Sequence, residues 1–200
     1  MLTAFQDFLY NCAISFDLPV LDWIQANLQS AFMDKFMPFI TIFGDAGIFW
    51  MIWAALLLIF PKTRKTGLGM AIAMVFGLIV CNMTLKPLVA RIRPYDLQAE
   101  LGITIQLLGE RMHDFSFPSG HTIASFEAAV VMLKNSKKLG IPAMILAVLI
   151  TFSRLYLYVH YPTDVIASII LGTLFALIGN ALAGLIAPKL GAGKKGKYEA

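Results

Sequence analysis

Residues that could carry chemistry stand in three short clusters at the ends of apolar stretches. The clusters are Lys86 with Arg93-Pro94, then Pro118-Ser119-Gly120-His121, then Ser153-Arg154 with His160 and Asp164. A charge at the end of an apolar stretch is costly unless it has a partner or a task. Three cations, two imidazoles and one carboxylate on one face of a membrane would bind a multiply charged anion, with acid–base chemistry beside it.

The second cluster has the composition of a loop that opens a helix. Serine is a favoured N-cap, and a glycine next to it lets the backbone come close to a ligand. We expect the free amides of Ser119, Gly120 and His121, at the positive end of the helix dipole, to bind phosphate oxygens.

The third cluster predicts an oriented histidine. Pro162 can occupy the first turn of a helix, which places Asp164 just inside the helix and His160 just before it. The carboxylate can then accept a hydrogen bond from one ring nitrogen of His160. The other nitrogen is left free as a nucleophile.

The composition indicates what kind of scaffold positions these residues. The chain has 200 residues, of which 58% are hydrophobic and 14% charged, and its mean hydropathy is +0.75. A soluble domain carries roughly a quarter of its residues charged. The chain is therefore predicted to be an integral membrane protein. With only two cysteines, it is not a small domain stabilised by several disulfides.

Five apolar runs predict an all-α bundle of five transmembrane helices, since a helical crossing takes about 20 residues. The predicted spans are residues 39–60, 67–85, 120–133, 139–159 and 164–186. The third is short, rising only about 20 Å, so one of its ends should stop inside the membrane. Residues 17–36 are amphipathic and should lie on the membrane as an interfacial helix, with a sixth span as the alternative.

The placement of the cations predicts the orientation. They cluster after the first and third spans and in a basic tail at 189–200, at Lys62, Arg64, Lys65, Lys134, Lys137, Lys138, Lys189, Lys194, Lys195 and Lys197. Five spans put all of them on one side, which the positive-inside rule makes cytoplasmic. This explains the net charge of +4 better than binding of nucleic acid does. The three polar clusters should then face the extracytoplasmic side of a cell membrane. The small size and general character of the sequence indicate a bacterial inner or plasma membrane.

Taken together, the clusters resemble the three-part signature of the type 2 phosphatidic acid phosphatase family of membrane lipid phosphatases. The parts occur in the family's order between residues 86 and 164, with no motif residue missing. The resemblance implies one membrane phosphatase domain at 1–188 that works without metal or cofactor through a phosphohistidine. It implies that His160 is the nucleophile, Asp164 its orienting partner and His121 the acid. It also implies phosphoryl-binding roles for Lys86, Arg93, Ser119, Gly120 and Arg154.

Two other classes of function fit these residues less well. A small transporter could also collect charges near mid-membrane, but transporters tend to show inverted repeats and broken helices. His121, His160 and Asp164 could form a metal site, but three neighbouring cations would repel a divalent ion.

The sequence leaves the lipid substrate open. Similarity to small bacterial family members favours undecaprenyl diphosphate, with phosphatidylglycerol phosphate and phosphatidic acid as alternatives. Arg91 and Arg111 read as membrane-anchoring side chains, His113 as a solvated loop residue, and Asp45 and Glu127 have no assigned role. The oligomeric state also stays open.

Overall fold

In the computed structural model, which describes residues 2–190, the chain forms helices and loops and no strand within that range. The α-helices are α1 (Leu2–Cys12), α2 (Leu18–Leu28), α3 (Met33–Thr41), α4 (Ile48–Ile59), α5 (Arg64–Phe76), α6 (Lys86–Val89), α7 (Pro94–Glu100), α8 (Gly120–Asn135), α9 (Lys137–Tyr156) and α10 (Pro162–Ile186). A π-helical segment, Gly77–Leu85, joins α5 to α6. The predicted all-α bundle is confirmed, but most of the 189–200 tail lies outside the described residues.

Among the described residues, four helical stretches are long and apolar enough to cross a membrane: Met33–Ile59, Arg64–Glu100, Lys137–Tyr156 and Pro162–Leu190. The predicted third span is a helix of 16 residues, α8, which is shorter than a full crossing. It lies at the centre of the bundle against α5, α9 and α10. Its buried side chains include Ile123, Phe126 and Val131, as expected of a helix that is surrounded by other helices.

Close packing around α8 depends on small residues. A Cβ atom added at Gly179 of α10 would lie 2.5 Å from the carbonyl oxygen of Gly69 in α5. In membranes, where lipid tails are as apolar as leucine, such close backbone contact is a main source of helix association. The small residues therefore hold α5 and α10 together around α8.

The N-terminal region differs in its bounds from the predicted interfacial helix at 17–36. A helix begins at Leu2 and runs through a π-helical turn, Ala13–Asp17, to Leu28. It ends there because Gln29 is extended (φ −63°, ψ 131°). Gln6 donates to the Val89 carbonyl and Gln25 to the Tyr156 carbonyl, so this helix contacts the ends of α6 and α9.

The first and fourth predicted spans also differ from the structure. Instead of starting at 39, the first helical stretch starts at Met33 and is interrupted at Asp45 (ψ 121°) and Ala46 (φ 47°). The fourth does not reach 159, because α9 ends at Tyr156. The following loop contains Tyr158 with φ 60°, a left-handed conformation that is unusual for a bulky residue.

Candidate active site

A single cavity of about 610 Å³ contains most of the residues that the sequence singled out. Of the eight predicted site residues, five line it: Lys86, Arg93, Gly120, His121 and His160. They come from the starts of α6 and α8 and from the loops before α7 and α10. The two imidazoles, 39 positions apart in the chain, therefore face one space.

His160 has the orientation that the sequence predicted. The α10 helix begins at Pro162, and Asp164 lies in its first turn. Nδ1 of His160 lies 3.5 Å from Oδ2 of Asp164. The opposite nitrogen, Nε2, lies 3.5 Å from Nη1 of Arg93, so it is the nitrogen that faces the cationic part of the site.

Burial keeps this imidazole neutral. His160 is only 2% exposed. Burial, together with the cations of Arg93 and Arg154 and against the pull of Asp164, lowers the pKa of His160 to about 3. A neutral ring has the free electron pair that a nucleophile needs.

Asp164 is held by residues that the sequence did not single out. Its Oδ2 accepts hydrogen bonds from the Ser116 hydroxyl and the Tyr161 amide. Its Oδ1 forms an ion pair with Arg91 at 2.5 Å. Arg91 also pairs with the buried Asp17 at 2.8 Å. These contacts fix the carboxylate behind His160.

The interpretation of Arg91 as a membrane anchor was therefore wrong. Its side chain is only 6% exposed, and it links the N-terminal helix to the carboxylate behind His160. No spacing within the motifs pointed to this role, because the partners of Arg91 are 74 positions before it and 73 after it. The N-terminal helix, which the family signature does not include, contributes directly to the support of the site.

The anion-binding cations are bridged by another missed residue, Asp114. Its carboxylate pairs with Lys86 and lies 2.5 Å from Nη2 of Arg93. Burial would raise the pKa of Asp114, but the two cations lower it to about 2. Asp114 therefore carries a negative charge between Lys86 and Arg93.

The structure differs from one part of the prediction that the amides at the start of α8 are free to bind phosphate. Ser119 is the N-cap, as predicted, but its amide donates to the Ser168 hydroxyl at 2.8 Å and is not free. Ser119 is fully buried and does not line the cavity. Gly120, the next residue, does line it.

Arg154 also lies behind the cavity wall. It is 3% exposed, and its Nη1 donates to the Thr41 hydroxyl at 2.5 Å. Its Nε is buried without a hydrogen-bond partner. The guanidinium is thus held from α3, and its buried Nε–H is left as an unused donor.

Of the two acids without an assigned role, Glu127 lines the cavity, and Asp45 lies between the lining residues Gly44 and Ala46. Asp45, at the interruption between α3 and α4, contacts His121. Glu127 is 1% exposed and its Oε1 has no hydrogen-bond partner. It follows His121 by six positions on α8, or about 9 Å along the helix axis.

Beyond the polar end, the cavity is apolar. It continues between α4 and α5, past Met51 and Leu58 on one side and Ala71 and Val75 on the other. A cationic pocket with two histidines, joined to an apolar channel inside a bundle of membrane helices, is the arrangement of a membrane enzyme that acts on phosphorylated lipids.

Comparison with known proteins identifies the family. The model of the PAP2 superfamily matches residues 65–184, and the chain belongs to this superfamily. It is 35% identical over 161 residues to an undecaprenyl-diphosphatase of Sulfolobus acidocaldarius, covering 80% of this chain and 75% of that protein. It is 27% identical over 160 residues to the undecaprenyl-diphosphatase BcrC of Bacillus subtilis, covering 80% of each chain.

A solved structure agrees with the fold. The PAP2-type phosphatidylglycerolphosphate phosphatase of Bacillus subtilis superimposes with a TM-score of 0.70 and 25% identity, over 92% of this chain and 95% of that one. The resemblance noted from the motifs is confirmed. The protein is a membrane phosphatase that acts on lipid phosphates.

Proposed function

We propose that the protein removes the terminal phosphate of a lipid through a phosphohistidine on His160, with undecaprenyl diphosphate as its substrate. The observation that carries the proposal is the placement of a neutral His160, backed by Asp164, in the same cavity as His121, Lys86 and Arg93. Phosphoryl transfer needs mainly positioning and positive charge around the equatorial oxygens. His160 supplies the positioned nucleophile, and Lys86 and Arg93 supply the positive charge.

In the first step, Nε2 of His160 attacks phosphorus and the bond to the leaving oxygen breaks. Protonated His121 donates its proton to that oxygen. In the second step a water oxygen attacks phosphorus, neutral His121 takes a water proton, and the phosphorus–nitrogen bond breaks. Both histidines are then in their starting states.

Lys86 and Arg93 would hold the phosphoryl oxygens once substrate replaces the Asp114 carboxylate. The Gly120 amide, at the start of α8, would contribute a further donor. Arg154 would act from behind through its unused Nε. The Ser119 amide would not bind phosphate, because it donates a hydrogen bond to the Ser168 hydroxyl. Ser119 would instead hold the start of α8 in place.

The lipid tail would occupy the apolar channel between α4 and α5. Undecaprenyl diphosphate is the first candidate, because both relatives described above are named as undecaprenyl-diphosphatases. The apolar residues Met51, Leu58, Ala71 and Val75 suit a long hydrocarbon chain. Phosphatidylglycerol phosphate is the second candidate, because the solved structural neighbour is a phosphatase for that lipid.

The site would face the extracytoplasmic side. The site residues lie at the starts of α8 and α10 and near the end of α9, whereas the lysine and arginine clusters lie at the opposite ends of these helices. By the positive-inside rule, the clusters mark the cytoplasm. In intact cells, a membrane-impermeant maleimide should label His113→Cys in a Cys12→Ser background, and a lack of labelling would contradict this orientation.

Trapping of the phosphoenzyme tests the mechanism. With radiolabelled lipid phosphate, acid quenching is unsuitable for a phosphohistidine, so the enzyme is denatured in alkali. The wild type should retain label, and His160→Gln should retain none. The exposed loop residue His113 provides the matched control, since His113→Gln should behave as the wild type does. Labelled His160→Gln would refute the nucleophile assignment.

Initial rates in one mixed-micelle assay test the substrate. We expect the highest kcat/KM for undecaprenyl diphosphate when it is compared with phosphatidylglycerol phosphate and phosphatidic acid, with activity retained in EDTA. If another of these lipids is preferred, the substrate proposal is wrong. The mechanism would stand.

A further inference from the structure

A second aspartate–histidine pair, formed by Asp45 and His121, lies at the edge of the cavity, which His121 lines together with Gly44 and Ala46. Oδ1 of Asp45 lies 2.8 Å from Nε2 of His121. The His121 side chain is 11% exposed and that of Asp45 is 57% exposed. The pair therefore joins a nearly buried imidazole to a carboxylate that is more than half exposed.

The chain between α3 and α4 is shaped to make this contact. The helical path is interrupted at Asp45 and Ala46, where Ala46 takes a left-handed conformation (φ 47°). Gly44 lies directly against the imidazole, because a Cβ atom at that position would lie 2.6 Å from Cδ2 of His121. Any larger residue would push this segment away from the edge of the ring that carries Nε2.

The charges that face His121 explain why a carboxylate is needed there. Arg154 of α9 and Lys86 of α6 are the cations whose charges act on the ring, and Asp45 is the carboxylate that opposes them. Arg93 and neutral His160 line the same cavity, and the carboxyl of Glu127 lies further along α8. Burial and the two cations disfavour a positive charge on the ring, whereas a carboxylate at hydrogen-bond distance favours it.

We propose that Asp45 is a positioning residue for the acid of the reaction: it holds His121 through the Nε2 proton and stabilises the imidazolium that protonates the leaving oxygen. The other ring nitrogen then serves the substrate. This inference rests on the proposed role of His121. The arrangement parallels Asp164 and His160, but with the opposite purpose, since one aspartate supports a neutral nucleophile and the other a charged acid.

The test compares two leaving groups. A lipid alkoxide is a poor leaving group and needs the proton, whereas p-nitrophenolate leaves without one. The value of kcat/KM reports the steps up to departure of the leaving group, so it is insensitive to the later hydrolysis of the phosphohistidine. The wild type, Asp45→Asn, Asp45→Glu and His121→Gln are assayed on phosphatidic acid and on p-nitrophenyl phosphate.

Asp45→Asn keeps the size of the side chain and removes its charge. It should lower kcat/KM on phosphatidic acid by about tenfold or more, within the range that acid catalysis contributes, and by less than about threefold on p-nitrophenyl phosphate. Asp45→Glu should restore part of the loss. The matched control is Asp96→Asn, which breaks an exposed ion pair with Arg111 and should leave both rates unchanged.

Equal losses on the two substrates would mean that Asp45 only supports the structure, and no loss on either would mean that it has no role. Each result would overturn the inference. His121→Gln separates this failure from a failure of the proposed function. If His121→Gln also shows no dependence on the leaving group, the acid role of His121 itself is wrong.

Discussion

Replacement of Arg91 by methionine should both destabilise and inactivate the protein, because it removes the cation that pairs with two buried carboxylates. The guanidinium lies 2.5 Å from Oδ1 of Asp164 and 2.8 Å from Oδ2 of Asp17, and both carboxylates are fully buried. It also stacks on the Tyr161 ring, 3.7 Å from the centroid. Methionine keeps much of the apolar stem but leaves two buried carboxylates without their cation.

The expected loss of unfolding free energy is about 3–5 kcal/mol, the cost of breaking a buried ion pair by removing one partner. The loss should not reach twice this value, because each carboxylate keeps other donors. Asp17 still accepts from the Thr163 amide at 2.9 Å, and Asp164 from the Tyr161 amide at 3.0 Å. Arg91→Lys keeps the charge, but a single ammonium group cannot bind both carboxylates as the planar guanidinium does. The loss of unfolding free energy in Arg91→Lys should therefore be intermediate.

Denaturant unfolding in detergent, followed with phosphatase activity, measures both effects. Arg91→Met should be inactive even at temperatures where it is folded, since Asp164 no longer holds His160 in place. Adding Asp17→Asn should recover part of the stability, because it removes one unpaired charge, but none of the activity. The exposed Arg111 is the control, and Arg111→Met should unfold as the wild type does. An Arg91→Met protein within about 1 kcal/mol of the wild type would refute this reasoning.

Three further predictions follow from contacts at the site. Gly77→Ala should destabilise by about 1–3 kcal/mol, because the new Cβ would lie 2.3 Å from Oε1 of Glu127; unfolding of Gly77→Ala with and without Glu127→Ala checks this, since the second change should relieve the clash. Asp114→Asn removes a negative charge from the anion site, so inhibition by inorganic phosphate should strengthen by about threefold or more; an unchanged inhibition constant would count against it. In a ¹⁵N-histidine spectrum, the ring of His160 should still be neutral at about pH 5, because its pKa is lowered to about 3 from an ordinary value of about 6.5; a signal that titrates between about pH 6 and 7 and is lost in His160→Gln would contradict the burial argument.

The chemistry was largely readable from the sequence where it depends on neighbours in the chain. Pro162 at the start of a helix places His160 and Asp164 one turn apart, and the structure shows this local arrangement. The short length of α8 was predictable because the length of an apolar run translates directly into helical rise. Its start at Gly120 brings His121 to the cavity.

The ends of the helices were less predictable, because apolar composition does not show where a helix is interrupted. The stretch around Asp45 is apolar enough for a continuous span, yet the chain departs from helical geometry there to bring Gly44 against His121. The end of α9 at Tyr156 likewise depends on the loop that carries His160 to its place.

What the sequence by itself determined is the class of protein and the reacting groups: hydropathy and motif spacing are properties of neighbouring residues, and they specify a helical membrane phosphatase. Only the tertiary structure decided how those groups are supported. Arg91 meets Asp17 and Asp164, Asp114 meets Lys86, and Asp45 meets His121 across separations of 28 to 76 positions. Such pairs form because helix packing buries charges that must then be compensated, and no local pattern records which partner packing will supply.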